Sequence, residues 1–173
     1  MPTKNLAERI GVVETRVENL NEKLDELKNQ HSSDVLLCVQ TDVSQPADCK
    51  NFIEKAIHQF GGIDILINNA GISMKAEMVD CDAAVIKKVM DVNFNGALYC
   101  TTYALPYLIK SKGVIVGISS IAGYRGLPGR SGYSASKFAL QGFLEAIKTE
   151  LIETFDILWC DVKCHICYLF QPK

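Results

Sequence analysis

The sequence has no apolar run approaching the roughly 20 residues of a membrane-spanning helix, so we expect no transmembrane segment. Residues 1–9 lack the apolar stretch of a secretory signal, and a cytoplasmic protein is therefore expected. There is no basic stripe and the formal net charge is −2, which argues against a nucleic-acid partner. Internal repeats and linkers rich in proline, glycine or serine are also missing. The 173 residues are therefore expected to form a single domain.

Hydrophobic residues make up 48% of the chain and charged residues 22%, which indicates a globular protein and excludes a disordered or collagen-like one. The seven cysteines are odd in number and, without a secretory signal, are expected to be reduced. Three of them lie with a histidine near the C-terminus, at Cys160, Cys164, His165 and Cys167. These are ligand types that zinc prefers, but their spacing is unusual and no second ligand pair lies nearby. We predict no metal site.

Short apolar runs alternate with longer amphipathic stretches along the chain. Four runs do not alternate polar with apolar residues and are predicted to be strands buried on both faces, at 10–13, 35–39, 63–67 and 114–118. A later strand is predicted over 156–162. Helices are predicted around 20–27, over 52–60 with a start near 44–48, over 82–108 and over 133–152. Strand–helix–strand alternation predicts an α/β fold with a parallel sheet wrapped by helices.

Small, polar or acidic residues follow each predicted strand. In open α/β sheets, ligands bind beyond the carboxyl ends of the strands. The segments expected at that edge are 14–16, 41–44, 68–71 and 119–120.

A tyrosine and a lysine lie four positions apart, at Tyr133 and Lys137, in the predicted helix 133–152. Residues at this spacing share a helix face, so a phenol and an ammonium group are presented side by side. The ammonium favours the phenolate form, which makes Tyr133 a candidate general acid and base. A serine hydroxyl at the end of the preceding strand, on Ser119 or Ser120, is placed to hold a substrate oxygen opposite the phenol. Taken alone, these residues also fit a surface tyrosine and lysine near a helix start, with capping serines.

Four motifs together, in this order and spacing, resemble the short-chain dehydrogenase/reductase family. They are Asn69-Ala70-Gly71 after a strand, Asn93 within Asp91-Val92-Asn93, Ser120 thirteen positions before the tyrosine, and Tyr133 with Lys137. The resemblance covers roughly residues 6–152. It implies a Rossmann-like, doubly wound, three-layer parallel sheet and an NAD(P)-dependent oxidoreductase. A flavodoxin-like signalling domain would not explain Ser120, Tyr133 and Lys137 together.

The resemblance also implies a role for each catalytic residue. Tyr133 exchanges the proton on the substrate oxygen, and Lys137 supports the phenolate and holds the nicotinamide ribose. Ser120 binds the carbonyl or alcohol of a small-molecule substrate. Asn93 orders a water in a proton relay behind Lys137. The reaction implied is hydride transfer between the cofactor and a secondary alcohol or ketone.

Cofactor contacts are implied for residues at the ends of three strands. Asn69, Ala70 and Gly71 would lie beside the cofactor, and Asp42 and Val43 would meet the adenine ring. A helix-capping role for Asp42 is the alternative.

The choice between the two dinucleotides depends on the end of the first predicted strand. Arg16 stands where family members that prefer NADP carry a basic residue, and a guanidinium suits a phosphate. Glu14 could instead reach the ribose. NADP is therefore expected rather than NAD.

Two parts of the family pattern are missing from the chain. It begins after the opening strand and its glycine-rich turn, and residues 153–173 form an atypical tail without the usual Pro-Gly. We therefore expect residues 1–173 to be one partial domain that lacks its first strand and its C-terminal strand. Loss of the glycine-rich turn should abolish turnover by this chain alone. The alternative function is a catalytically inactive fragment or isoform that acts only as an interaction module.

The helices at 82–108 and 133–152 carry many apolar side chains. Those expected to exceed what one sheet face can cover are Phe94, Leu98, Phe138, Leu140, Phe143 and Leu144. A homodimer or homotetramer that pairs through these two helices is therefore expected.

Overall fold

A computed structural model describes residues 22, 25–26, 29–30, 35–151 and 156–161, the last range by its backbone alone. The predicted strand at 10–13, Arg16 and the tail beyond residue 161 lie outside the described residues. The chain divides into two compact units, residues 1–38 and 39–173. The described residues between 22 and 30 are helical. All the elements below belong to the second unit.

Three parallel strands form the sheet of the second unit: β1 (Ile65–Asn68), β2 (Val114–Ser119) and β3 (Asp156–Asp161), in the order β1-β2-β3. Ile65 lies opposite Val114, which in turn lies opposite Asp156. Because all three strands are parallel, their carboxyl ends meet at one edge of the sheet. The predicted α/β fold with a parallel sheet is confirmed.

Four helices accompany the strands: α1 (Pro46–Phe60), α2 (Ala83–Met90), α3 (Gly96–Ser111) and α4 (Ser131–Glu150). Proline begins α1, where its missing N–H costs no helical bond, and Gly61 ends it at a φ of 79°. The Asp82 side chain caps α2 by accepting a hydrogen bond from the Ala84 N–H at 2.9 Å. Short 3₁₀ turns lie at Met78–Asp80 and Ile121–Gly123.

The predicted helix 82–108 is interrupted, which corrects the sequence-based expectation. A π-helical turn, Asp91–Asn95, lies between α2 and α3. At this turn the side chain of Asn93 points inward and bonds the backbone of Ile72. An inward polar side chain inside an otherwise helical pattern gives no break that periodicity could reveal.

The core lies between one face of the sheet and the helices. Its buried members come from β1, β2 and the helices α1, α3 and α4: Leu66, Ile115, Cys49, Ile53, Ala97, Cys100, Ala104, Leu108, Leu140 and Leu144. Burial alternates along β1, with Leu66 buried and Ile65 and Ile67 about 60% and 59% exposed. The prediction that this strand is buried on both faces is therefore wrong, because the packed helices cover only the face that carries Leu66.

The run 35–39, predicted to be a strand, forms no strand in the structure. A strand exists only when a neighbour accepts its backbone hydrogen bonds, and among the described residues none pairs with this run. Val35 and Cys38 are exposed, and Leu36, Leu37 and Val39 are half-buried.

The prediction that six apolar side chains of the two long helices remain exposed is wrong in part. Leu140 and Leu144 are 1% and 0% exposed, because this face of α4 packs on β2. Phe138 is 46% exposed, as expected. Phe94 and Phe143 are half-buried and meet edge to face, with ring centroids 6.0 Å apart.

In the part of the chain that the structure describes, no helix is long and apolar enough to cross a bilayer.

Candidate active site

A cavity at the carboxyl edge of β1 and β2, here called the Tyr133 cavity, has a volume of about 280 Å³. It brings together three of the predicted catalytic residues, Ser120, Tyr133 and Lys137. The other lining residues are Asn69, Gly71, Ile72, Ser73, Ile118 and Ser119. The cavity forms here because β2 ends at Ser119 and α4 begins at Ser131, so the turn between them places the start of α4 beside the end of the strand.

Lys137 is buried, with 5% of its surface exposed. Its Nζ donates a hydrogen bond of 2.7 Å to the carbonyl oxygen of Ile118 and lies 5.9 Å from the centre of the Tyr133 ring. A carbonyl dipole at hydrogen-bond distance stabilises a buried ammonium group. The fold therefore holds a cation beside the phenol, as the spacing of the two residues predicts.

Ser120 lies at the start of the 3₁₀ turn Ile121–Gly123. Its Oγ accepts a hydrogen bond from the Ala122 N–H at 3.2 Å, so its own hydrogen remains available for donation. Ser119 precedes it and is 4% exposed, and its hydroxyl has no hydrogen-bond partner among the described residues. The alternation along the strand thus buries Ser119 and places Ser120 where a ligand can reach it.

Asn93 lies beneath the cavity and is 1% exposed. Its Oδ1 accepts from the Ile72 N–H at 2.8 Å, and its Nδ2 donates to the Ile72 carbonyl at 2.9 Å. Asn93 and Lys137 flank Gly71: a methyl group on Gly71 would lie 3.5 Å from Asn93 Oδ1 and 3.7 Å from Lys137 Nζ. The structure thus brings Asn93 near Lys137. The water relay between them stays a prediction.

Ser136 belongs to this network and was missed by sequence reasoning. It is fully buried, donates to the Tyr133 carbonyl at 2.7 Å and accepts from Asn93 Nδ2 at 2.9 Å. One hydroxyl thereby connects the π-helical turn to the helix that carries Tyr133. The 43 positions between Asn93 and Ser136 give no sequence signal for this contact.

The loop after β1 is fastened to the start of α4, which sequence reasoning also missed. Arg130 Nη1 donates to Ser73 Oγ at 2.8 Å, and the Ala76 N–H donates to the Gly129 carbonyl at 2.9 Å. Because Ser73 lines the Tyr133 cavity, these bonds hold one of its walls.

A second cavity, here called the Cys100 cavity, has a volume of about 230 Å³. It is lined by Val43, Asn69 and Ala70, three of the residues expected to meet a cofactor. The other lining residues are Val39, Thr41, Phe52, Leu66, Ile67, Asn68, Gly96, Ala97 and Cys100. Because Asn69 lines both cavities, the two adjoin at the end of β1.

Asp42 is not one of the described residues that line the Cys100 cavity. Its Oδ1 accepts hydrogen bonds from the N–H and the hydroxyl of Ser44, at 3.0 and 2.8 Å. These two bonds lower the pKa of the Asp42 carboxyl. Asp42 therefore organises the turn before α1, but it does not cap the helix as the alternative expected, because the N-cap residue is Gln45.

A family model described as short chain dehydrogenase matches residues 4–160. The 11-beta-hydroxysteroid dehydrogenase-like 2 protein of Arabidopsis thaliana is 40% identical over 144 residues, which cover 83% of this chain and 46% of that protein. Its 11-beta-hydroxysteroid dehydrogenase-like 3 is 42% identical over 127 residues, covering 73% of this chain and 41% of the relative. The chain therefore spans less than half the length of these curated relatives.

Solved structures show the same relationship. A short-chain dehydrogenase/reductase from Burkholderia phymatum, crystallised with NAD, superposes with a TM-score of 0.75 at 25% identity, over 81% of this chain and 51% of that one. An NADH-dependent reductase responsible for alginate metabolism, A1-R', gives a TM-score of 0.65 at 29% identity, over 70% of this chain and 52% of its own. The matched family model and the parallel α/β sheet agree: the chain belongs to the short-chain dehydrogenase family.

Proposed function

We propose that the protein containing this chain is an NADP(H)-dependent oxidoreductase that interconverts a secondary alcohol and a ketone. The observation that carries the proposal is the Tyr133 cavity, which gathers a serine hydroxyl, a phenol and a buried ammonium group at the carboxyl edge of a parallel sheet. Ser120, Tyr133, Lys137 and Asn93 are the proposed catalytic set.

The described residues fit a dinucleotide cofactor. The two cavities adjoin at Asn69, which gives one groove with a largely apolar end and an end that carries the catalytic groups. Val43, Asn69 and Ala70 would hold the adenine half, with Asp42 shaping the loop beside it. Gly71, Tyr133 and Lys137 would hold the nicotinamide half. When bound, the nicotinamide supplies or accepts the hydride.

The chain's own groups would handle the proton. In reduction, the Tyr133 phenol donates its proton to the substrate oxygen, and in oxidation the phenolate takes it back. Lys137 would place its ammonium beside the phenol, since the Ile118 carbonyl holds Nζ 5.9 Å from the centre of the ring. Ser120 donates the hydrogen that its bond to Ala122 leaves available.

Asn93 would support the proton path from below. Its amide holds Ile72, a residue that lines the Tyr133 cavity, and through Ser136 it reaches the Tyr133 backbone. An ordered water between Asn93 and Lys137 would connect the phenol to solvent.

Preference for NADP over NAD rests on Arg16, which lies outside the described residues, and stays a prediction. The same is true of the cytoplasmic location. Pairing of two copies through α3 and α4 is also a proposal, which the exposure of Phe138 supports.

An interaction module without catalysis is the second candidate. The exposed side chains of Ile65 and Ile67, on the sheet face that none of the described helices covers, favour it, because such a face can bind a partner.

The test is a fluorescence titration of the full gene product with NADPH and NADH, followed by turnover of a panel of ketones and secondary alcohols. Tyr133→Phe should reduce turnover by about 10²–10⁴-fold and leave NADPH affinity nearly unchanged. Tyr107→Phe, on the partly exposed surface of α3, is the matched control and should keep wild-type turnover. Equal activity of Tyr133→Phe and wild type would refute the proposed acid and base. Absence of any dinucleotide binding would favour the interaction module.

A further inference from the structure

Two buried thiols lie in contact behind the Cys100 cavity, and the proposed reaction uses neither. Cys49 on α1 is fully buried, and Cys100 on α3 is 7% exposed. The two helices pack against each other, and the two thiols share a hydrogen bond. Both cysteines are free.

We propose that Cys49 and Cys100 form a redox modification site, at which hydrogen peroxide converts the two thiols into a disulfide that joins α1 to α3. The proposal does not depend on the oxidoreductase activity. It rests on the contact of two thiols from different helices and on the route that the Cys100 cavity provides to one of them.

The cavity makes Cys100 the first sulfur to react. Its thiolate attacks one peroxide oxygen, the S–O bond forms as the O–O bond breaks, and the hydroxide released takes up a proton to become water. The sulfur of Cys49 then attacks the Cys100 sulfenic acid. The S–S bond forms, the S–O bond breaks, and the departing hydroxide takes the Cys49 proton. Two thiols lose two electrons and two protons, and the peroxide is reduced to two waters.

Acidity supports the same order of reaction. Burial raises the pKa of the Cys49 thiol to about 12. Burial also raises the pKa of Cys100, but the hydrogen bond from Cys49 opposes that rise. The contact between the two thiols thus favours ionisation of Cys100 and opposes ionisation of Cys49. Because the thiolate is the reacting form, we expect oxidation to be slower than at an exposed cysteine and to accelerate as the pH rises.

Oxidation would change a wall of the Cys100 cavity. The single hydrogen of the Cys49 thiol has two acceptors within reach, the Val43 carbonyl at 3.3 Å and the Cys100 sulfur, and a disulfide has no hydrogen to donate to either. Val43 lines the cavity and packs closely on Gly96, where an added methyl group would lie 2.9 Å from Val43 Cβ. The disulfide would thus release the Val43 carbonyl while fixing the two helices beside it.

The experiment is peroxide treatment of the folded 173-residue chain at pH 7 and pH 9, followed by blocking of free thiols and peptide mapping by mass spectrometry. We expect a Cys49–Cys100 link as the main product, formed faster at pH 9. Cys49→Ser should stop at a sulfenic acid on Cys100 that dimedone captures, and Cys100→Ser should leave Cys49 reduced. Cys81→Ser, at a half-buried cysteine outside the pair, is the matched control and should link normally.

A second measurement is the melting temperature of the oxidised chain. Closing a long loop by a disulfide should raise it by about 10 °C, and dithiothreitol should reverse the shift. If the exposed Cys38 is fully oxidised at pH 9 while the Cys49 and Cys100 peptides remain free thiols, the proposal is wrong. The peptide map of the wild-type chain after peroxide treatment gives this result even if a serine variant fails to fold.

Discussion

Replacing Asn93 with aspartate tests the buried network beneath the candidate active site. Aspartate matches asparagine in size but exchanges the amide Nδ2, which donates to Ile72 and Ser136, for an oxygen that cannot donate. A buried hydrogen bond to Ser136 and a partly buried one to the Ile72 carbonyl, both at 2.9 Å, are lost, and a carboxylate oxygen then faces that carbonyl. Each lost hydrogen bond costs about 1 kcal/mol, and leaving the Ile72 carbonyl unsatisfied costs about 1–3 kcal/mol more. We expect Asn93→Asp to lower the free energy of unfolding by about 3–5 kcal/mol.

The dependence of this loss on pH has a definite sign. A protonated carboxyl group regains one hydrogen to donate, so the acid form is favoured in the folded state of the variant. Stability relative to wild type is therefore lowest at neutral pH and recovers as the pH falls toward about 4.

Urea unfolding followed by far-UV circular dichroism at pH 7 and pH 4.5 measures both effects. Asn95→Asp is the matched control in the same π-helical turn, where Asn95 Nδ2 donates to Asp91 Oδ1 at 3.0 Å at a half-buried position. Its cost should be about 1 kcal/mol or less. If Asn93→Asp lowers the free energy of unfolding by no more than Asn95→Asp at pH 7, the buried network does not stabilise the fold by the expected amount.

Three further predictions concern stability. Ser136→Ala removes a fully buried hydroxyl with two bonds and should cost about 1–2 kcal/mol by urea unfolding; an unchanged midpoint would show that the link is dispensable. Gly117→Ala places a methyl group on the fully buried side chain of Leu144, so a loss of about 1–3 kcal/mol is expected and a stabilised variant would contradict the packing. Asp91→Asn breaks an ion pair of 2.6 Å with Lys87 that lowers the pKa of the Asp91 carboxyl. Because a carboxyl with a lowered pKa stabilises the fold above its unfolded pKa and loses that effect as it is protonated, the variant should melt slightly lower than wild type at pH 7 and equally near pH 2.

Local patterns predicted the elements whose stability is local. The helix expected over 133–152 is Ser131–Glu150, and the strand expected over 114–118 is Val114–Ser119. Both carry a strong periodicity or a dense apolar run, and a neighbouring element covers the apolar side. The Tyr133–Lys137 pair was predictable for the same reason, since four positions on a helix determine the shared face.

Other parts of the fold depend on contacts between distant residues. The run 35–39 has the composition of a buried strand, but composition cannot supply the neighbour that strand pairing needs. By periodicity, Asn93 is one more position of a helix. Its role depends on Ile72, 21 residues earlier in the chain, whose N–H donates a hydrogen bond to the Asn93 side chain. The hydrogen bond from Arg130 to Ser73 joins residues 57 positions apart, so no local sequence pattern predicts it either. Sequence reasoning thus predicted the proposed catalytic residues and missed the contacts that hold them in place.

The π-helical turn Asp91–Asn95 sets the angular phase between two helices. An α-helix advances about 100° per residue, so the additional residue enclosed by a π turn rotates everything after it by about that angle. This offset lets α2 pack on α4 while α3 packs on α1 and β1. Deleting one residue of this turn would remove the offset, so that Gly96 would rotate away from Val43 if α2 kept its place on α4. The length of this segment is therefore more tightly constrained than its composition: we expect a substitution at one of its four half-buried positions to cost less stability than a single-codon deletion.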